Sequence, residues 1–387
     1  MMRNITVGID VGTYATRVAV AEHIKGERAP RIIGTGTTPT RGLRHGYITN
    51  IEQATKTIEK ALREASKNSG VEIKRVFATV GGIGLESMTA LGSAVISKAD
   101  GEVTQLDIQK AIQAAEDNLE IKNRRILHRL PVGFKLDGKN LPGRPERVKG
   151  LKLEIKVLFI TCFEQHLEDL LTAISDAGVE VVDVVASPIA AGEVALTDRD
   201  RNMGCLLVDV GAETVTMAVF EEGAVVALRV FATGSTYITN DIALGMKVSL
   251  EEAEGLKIGA VLGTYSKKKL DEIIEARIKD IYWIIDSYLK KIKRSGLLPA
   301  GVVILGGGSH LNVIEELGKE ELRLPCRIGM PEAFAGSKNK IRDTSWFPVL
   351  GLVILGKNTP FESSGSVGEF FSRLKKSMSN LLKQLMP

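Results

Sequence analysis

The run Val7-Gly8-Ile9-Asp10-Val11-Gly12-Thr13 has a close counterpart in mid-chain, Leu207-Val208-Asp209-Val210-Gly211-Ala212-Glu213-Thr214. Each is an apolar segment ending in Asp-Val-Gly and followed by an alternating return segment. That return is Thr16-Arg17-Val18-Ala19-Val20 in one copy and Val215-Thr216-Met217-Ala218-Val219 in the other. Period-two alternation on both sides of a tight turn predicts a strand-turn-strand hairpin. Glycine at the tip lets backbone N–H groups approach a phosphate closely, and the neighbouring Asp can hold a metal ion or its water. Two hairpins in tandem predict a duplicated clamp, with one loop from each half closing on the phosphates of a single ligand.

Working outward, 387 residues exceed one compact core and suit two lobes. With 44% apolar, 25% charged and 5% aromatic residues the chain is globular, and a net charge of +4 argues against an extended nucleic-acid surface, so no nucleic-acid partner is expected. Cys162, Cys205 and Cys326 are odd in number, far apart and set in apolar runs, which predicts reduced core thiols in a cytosolic protein. The first residues enter a strand without a basic region and apolar stretch of signal type. No uncharged apolar run reaches the length of about 18 residues needed to span a bilayer.

Strand-like and helical segments alternate, which predicts α/β lobes. After the first hairpin come a strand at 31–37, a polar turn at 41–48, a helix at 51–68 and a strand at 75–80. From 83 to 161 the pattern changes to strand, helix at 105–119 and two longer strands, a small α+β subdomain inserted into the first lobe. A helix at 164–177, a strand at 179–185 and a helix at 189–195 return to that lobe. The second lobe carries helices at 250–258 and 271–294 and a strand at 301–305, with a further helix starting near 311. The expected division is 1–82 and 163–200, closed by 340–357, for the first subdomain, and 83–162 for the insertion. The second-lobe core is expected at 201–244 and 296–339, a smaller subdomain at 245–295, a linker at 358–366 and an amphipathic helix at 367–387.

Most glycine clusters mean only a turn. Gly81-Gly82-Ile83-Gly84 follows a strand, but Ser87 stands where a dinucleotide fingerprint wants glycine, and no Walker-type phosphate loop exists. Gly306-Gly307-Gly308 on its own is a strand-to-helix turn; placed after both hairpins, it reads as backbone brought close to a flat ligand. Glu254 and Lys257, three apart on one helical face, are alone a solvated ion pair. Near the C-terminus, Val367, Phe370, Phe371, Leu374, Met378, Leu381, Leu382 and Leu385 follow steps of three and four, with Arg373, Lys375, Lys376 and Lys383 off the stripe. Such a helix either docks on the protein's own core or lies in a membrane interface. The preceding linker, the paired phenylalanines and the cationic polar side favour the membrane.

In this order the pieces resemble the actin-like ATPase superfamily, and within it the FtsA family of bacterial cell-division proteins. The superfamily resemblance rests on Asp10 to Thr13, Asp209 to Thr214, the Glu254/Lys257 pair and Leu305 to Gly308. The narrower one rests on Thr40-Arg41-Gly42-Leu43-Arg44-His45-Gly46-Tyr47-Ile48, Val157-Leu158-Phe159-Ile160-Thr161-Cys162, Tyr237-Ile238-Thr239-Asn240-Asp241-Ile242-Ala243 and Glu251 to Lys257. It implies an actin-like fold of two lobes of duplicated α/β subdomains, with the inserted α+β subdomain and a C-terminal amphipathic helix. It also implies ATP with Mg2+: Asp10 and Asp209 at the metal, Gly12, Thr13, Gly211 and Thr214 at the phosphates, and Glu254, Lys257, Gly306 and Gly307 at the nucleoside. Tyr14, Ala212, Glu213, Gly234 and Gly308 complete that set. The implied partners are the C-terminal tail of FtsZ at 245–295, other copies of the chain in a filament or oligomer, other division proteins, and anionic lipid. The lipid would meet Phe370, Phe371, Arg373, Leu374, Lys375, Lys376, Met378, Leu381, Leu382 and Leu385, making this a cytoplasmic protein peripheral on the inner face of the cell membrane. The basic, aromatic helix at 271–294 is by itself a solvated face; the resemblance makes it a surface for an acidic, apolar FtsZ tail.

Two departures bear on turnover. Chaperone relatives carry Asp-x-Gly-Gly-Gly-Thr in the second loop, where this chain has Ala212 and Glu213. Glu213, the one catalytic candidate, is either a metal-side or water-positioning residue or a surface turn residue. Ser187 precedes Pro188 where the same relatives place an acidic residue that orients the attacking water. The expectation is ATP binding with weak or no hydrolysis. A PilM-like assembly protein of a pilus or secretion system is the alternative, against which Arg41-Gly42 and the tail both count. A turnover ATPase such as a metabolic kinase or chaperone is the other, opposed by Ser187 and Glu213.

Overall fold

A computed structural model describes residues 4–27, 29–260, 265–335 and 341–358. The amphipathic stretch at 367–387 and all of the expected linker but Asn358 lie outside the described residues. The first lobe opens with β1 (Ile5–Val11), β2 (Ala15–Glu22) and β3 (Arg31–Pro39). The two-residue strands β4 (Leu43–Arg44) and β5 (Tyr47–Ile48), helix α1 (Ile51–Ser69) and β6 (Arg75–Val80) follow. Helix α1 is capped by Asn50, whose side chain accepts from the Gln53 amide, and stops at Gly70. It buries Ala54, Ile58, Ala61, Leu62 and Ala65.

Next come β7 (Glu86–Val95), α2 (Gln105–Asp117), β8 (Arg124–Leu136), β9 (Lys139–Leu141) and β10 (Lys152–Phe163). The chain then runs through α3 (Glu164–Asp176), β11 (Glu180–Ala186), α4 (Ser187–Ala195) and α5 (Asp198–Met203). The second lobe has β12 (Cys205–Val210), β13 (Val215–Glu221), β14 (Ala224–Phe231), α6 (Ser235–Met246), α7 (Leu250–Lys257) and α8 (Lys267–Lys291). It ends with β15 (Val302–Leu305), α9 (Ile314–Leu322) and β16 (Cys326–Ile328), and α10 (Phe347–Leu355) returns to the first.

The repeated hairpins are the visible part of a larger duplication. One sheet has the order β11-β6-β1-β2-β3, and the second-lobe half of the other runs β16-β15-β12-β13-β14. In both, the Asp-bearing strand is parallel to its neighbour on one side and antiparallel to the returning strand on the other. The hairpin registers coincide: Asp10 opposes Arg17, and Asp209 opposes Thr216. Cys162, Cys205 and Cys326 are buried free thiols, pushed by desolvation to about 11, 12 and 12.

Strands β7, β10, β8 and β9, with α2 packed on them, enclose a core of their own around Ile108, Leu153, Ile155 and Phe159. Their sheet also continues into the second lobe, where Arg229 of β14 pairs with Glu86 of β7. The Ser87 hydroxyl closes that joint by accepting from the Leu228 amide at 2.8 Å. On the other side, the Ala186 amide at the end of β11 donates to His128 Nε2 at 2.9 Å. The segment expected as an insertion into the first lobe therefore braces both lobes. Smaller differences have local causes. Capped by Ser266, α8 begins at Lys267, four residues ahead of its expected start, and a 3-10 turn, Gly307–His310, stands between β15 and α9. Among the described residues no helix is long and apolar enough to cross a membrane.

Candidate functional site

The two hairpin turns face one cavity of about 810 Å3 between the lobes, a volume in the ordinary range for a cofactor-sized ligand. In the second-lobe turn the Gly211 amide donates to Thr214 O at 2.9 Å, which closes the loop tightly. Ser235 and Thr236, at the start of α6, donate their amides to Gly211 O and Ala212 O at 2.9 and 2.8 Å. Gly234 sits directly behind this loop, where a Cβ would stand 2.5 Å from Ala212 O. In the first-lobe turn the Thr13 hydroxyl accepts from the Gly46 amide at 3.1 Å, and Tyr14 O accepts from the Thr40 amide at 3.0 Å. The Tyr14 side chain stands at the mouth of the cavity, 70% exposed.

Asp10 and Asp209 sit at the base, each at the end of the strand that carries its loop. The Thr79 hydroxyl donates to Asp10 Oδ1. Burial raises the Asp10 carboxyl, against the lowering pull of Thr79 and Arg17. Burial also raises Asp209, to about 7; the charge of Asp10 adds to the rise and Arg17 opposes it. Two opposed carboxylates with a single neighbouring guanidinium form a site that a divalent cation would complete. Arg17 also lines the cavity, and its guanidinium lies 5.8 Å from the centroid of the Trp346 ring. Arg17 is not among the residues expected at the site from sequence, although a signal was present: it is the one basic residue of the return strand and stands opposite Asp10.

The wall beyond is made by Glu254, Lys257 and Gly306 to Gly308. Lys257 is only 7% exposed and pairs with Glu254 at 2.7 Å. Its ammonium also donates to Thr239 Oγ1 at 2.9 Å and Ser235 O at 3.3 Å, while Thr239 donates to Glu254 Oε2 at 2.6 Å. The pair is thus a joint between α6 and α7 rather than a solvated surface contact. Gly306 O accepts from Thr344 Oγ1 at 3.1 Å, and Thr344 in turn bonds Ser309 at 2.9 Å.

Of the residues singled out from sequence, Asp10, Gly12, Thr13, Tyr14, Asp209, Gly211, Ala212, Thr214, Glu254, Lys257, Gly306, Gly307 and Gly308 line this one cavity. Glu213 and Gly234 do not. The Glu213 carboxylate turns to the first lobe, where Oε2 accepts from the His45 amide at 2.6 Å. Ser187, at the start of α4, does line the cavity and offers a hydroxyl there.

Asp209 makes a stability prediction for the ligand-free protein. Its carboxyl holds a proton up to about 7 when folded, against 3.8 for the unreacted side chain. Between these values only the folded state binds the proton, so this group's contribution to stability is full below the lower value and is lost as pH rises through the upper one. Asp209→Asn removes the buried charge and is expected to stabilise the ligand-free chain at pH 8 by about 1 to 3 kcal/mol, with a gain near zero at pH 4. Urea unfolding at the two pH values measures it; equal effects at both would show that the carboxylate is not strained in the folded state.

Two lobes of duplicated sheet, joined around a cavity floored by paired Asp-Val-Gly loops, make this an actin-like ATPase fold. A solved PilM-PilN type IV pilus biogenesis complex superposes with a TM-score of 0.68 at 17% identity, covering 91% of this chain and 98% of its own. MreB5 of Spiroplasma citri bound to ADP gives a TM-score of 0.52 at 13% identity, covering 97% and 98%. Sequence then narrows the class. The family model for "Cell division protein FtsA" matches residues 206–351, and that for the "SHS2 domain inserted in FTSA" matches residues 82–161. Cell division protein FtsA of Borreliella burgdorferi is 30% identical over 92% of this chain and 91% of its own length. That of Pseudomonas aeruginosa is 28% identical over 90% and 88%. The chain belongs to the FtsA family of cell-division proteins.

Proposed function

We propose that this chain binds MgATP between its two Asp-Val-Gly loops, associates with copies of itself, and tethers FtsZ filaments to the inner face of the cytoplasmic membrane. The observation that carries the nucleotide part is the convergence of both loops, the Asp10/Asp209 pair and the glycine loop on one cavity. Asp10 and Asp209 would hold Mg2+, whose chemistry is to neutralise the phosphate charge and order its water. The turn amides and Arg17 hold the phosphates, and Glu254, Lys257 and Gly306 to Gly308 flank the nucleoside. Turnover is slow in this reading, because Glu213 is engaged with His45 and Ser187 offers no carboxylate to a water. Nucleotide then acts as a conformational switch. The FtsZ part is supported by α8, whose outer face carries Trp283, 68% exposed, with the exposed Lys279 and Lys290 one turn before and two turns after it. Asp280, 67% exposed, and the Lys290–Asp286 pair at 2.7 Å make this face mixed in charge, so the exposed Trp283 anchor and Lys279 are what would suit an acidic, apolar peptide. The membrane part rests on the stripe at 367–387.

Calorimetric titration of the full chain with ATP, in Mg2+ and then in a chelator, tests the nucleotide part. Saturable binding is expected that weakens at least about tenfold when Mg2+ is removed, as the carboxylate pair then repels the phosphates. No binding in either condition would reject the assignment of the cavity.

A further inference from the structure

We propose that the turn between β4 and β5 is a clasp joining the two lobes, and that Glu213 is a positioning residue. Through His45, it sets the distance between the two phosphate loops. The proposal rests on the nucleotide reading of the cavity and gives the Arg41 to Ile48 segment a task, and Glu213 one beyond its absence from hydrolysis.

Strands β4 and β5 pair Leu43 with Ile48 and Arg44 with Tyr47, leaving His45 and Gly46 as a two-residue turn. Both have positive φ, 51° and 80°, the geometry of the tightest hairpin turns. Three consecutive residues then reach three different parts of the molecule. The His45 amide donates to Glu213 Oε2 at 2.6 Å, across to the second-lobe loop. Its ring Nδ1 lies 3.3 Å from Glu213 O, and the imidazole stacks with Tyr237 of α6 at 6.5 Å between centroids and 24° between planes. The Gly46 amide donates to Thr13 Oγ1 in the first-lobe loop at 3.1 Å. The Tyr47 ring meets His166 edge-on at 4.5 Å and Phe163 at 6.4 Å, at the root of the braced subdomain.

The turn is also seated against the end of β6. The Ile83 amide donates to His45 O at 3.3 Å, and a Cβ at position 46 would overlap Gly82 Cα and stand 2.9 Å from Gly82 N. Glycine at 46 is thus demanded both by φ and by close approach. A turn held this tightly cannot follow one loop without leaving the other. Separation of the lobes must break the His45–Glu213 bond or pull Gly46 off Thr13. At 2.6 Å the bond is short for an N–H donor to a side-chain oxygen, a close contact made by the position of the acceptor. It also keeps the Glu213 carboxylate off the phosphate side of its loop, where it would repel a triphosphate. A ligand that bridges both loops and the clasp that bridges both loops favour the same closed arrangement, and each strengthens the other.

The acceptor, and not the charge, is what the clasp requires, so Glu213→Gln should preserve it and Glu213→Ala should not. Hydrogen exchange of the nucleotide-free full chain reads the clasp directly: amides of 43–48 should exchange about tenfold faster in Glu213→Ala and near the original rate in Glu213→Gln. Release of a fluorescent ATP analogue in Mg2+ should be about five- to tenfold faster in Glu213→Ala and within about twofold in Glu213→Gln. Tyr237→Ala, which unstacks the imidazole and leaves both loop backbones in place, should shift both readouts less and in the same direction. It serves if Glu213→Ala folds poorly. Unchanged exchange in Glu213→Ala overturns the clasp. Equal loss in Gln and Ala overturns it too, because the carboxylate charge would then act on metal or ligand. The expected exchange pattern, with no analogue bound even by the unsubstituted chain, would support the clasp contact and reject the nucleotide reading.

Discussion

Phe371→Glu in the full chain is expected to abolish co-sedimentation with anionic vesicles, as fully as ending the chain after Ser366. The residues concerned lie outside the described ones, and the argument is one of pattern and charge. A helix laying the stripe Val367, Phe370, Phe371, Leu374, Met378, Leu381, Leu382 and Leu385 into a lipid interface gains on the order of 5 to 10 kcal/mol before ordering costs. Arg373, Lys375, Lys376 and Lys383 each add about 1 kcal/mol beside anionic headgroups. Glutamate at 371 removes about 2 kcal/mol of aromatic burial and sets an anion against an anionic surface. Together these amount to at least about a hundredfold weaker partitioning. The lysine and arginine share should shrink with added salt, and the aromatic share should persist. Neither change touches the cavity residues, so ATP binding should be retained in both variants. If both variants still sediment with the vesicles, or the unsubstituted chain never does, the stripe is not an anchor, and its docking on the protein's own core becomes the better account.

The parts of this molecule that sequence revealed are those whose physics is local. Asp-Val-Gly between two alternating runs can hardly be anything but a hairpin, and its recurrence predicts a duplication with one loop from each half; the repeated strand order of the two sheets is seen only in the structure. The buried stripe of α1 follows from spacing in the same way. What escaped depends on partners far along the chain. Nothing in the alternation of β7 or β14 marks Arg229 and Glu86 as neighbours, so the pairing of the inserted subdomain with the second lobe is not legible in the sequence. The direction of the Glu213 carboxylate is decided by a backbone amide presented at φ 51° in the other lobe, at His45. On spacing alone Lys257 is half of a solvated ion pair, and only the resemblance places it at the nucleoside, because its burial depends on Thr239 and Ser235 of α6, a separate helix. The early start of α8 had a local signal in Ser266, obscured by the lysines that follow it.

Gly306→Ala is expected to be the most damaging single-methyl change in the cleft, and Gly307→Ala beside it among the mildest for folding. Gly306 has φ 82° and ψ 176°, a combination that only glycine adopts without strain. A Cβ there would overlap Asp209 Oδ1 and stand 2.5 Å from Val210 O, so the glycine loop rests directly on the Asp209 carboxylate and its strand. Backbone strain of about 1 to 3 kcal/mol is then joined by displacement of either the loop or Asp209. A loss of about 2 to 4 kcal/mol in stability follows, together with at least a hundredfold loss of ATP affinity, or about 3 kcal/mol. At Gly307 the same methyl meets nothing within 4 Å and φ is not positive, while the residue still lines the cavity. Unfolding should therefore stay within about 1 kcal/mol of the original protein, and any effect should fall on the ligand that the methyl would touch. Chemical denaturation and ATP titration of the two variants side by side separate packing from contact. Equal stability in both would mean that the glycine loop does not lean on Asp209, and the coupling of the glycine loop to that carboxylate would have to be abandoned.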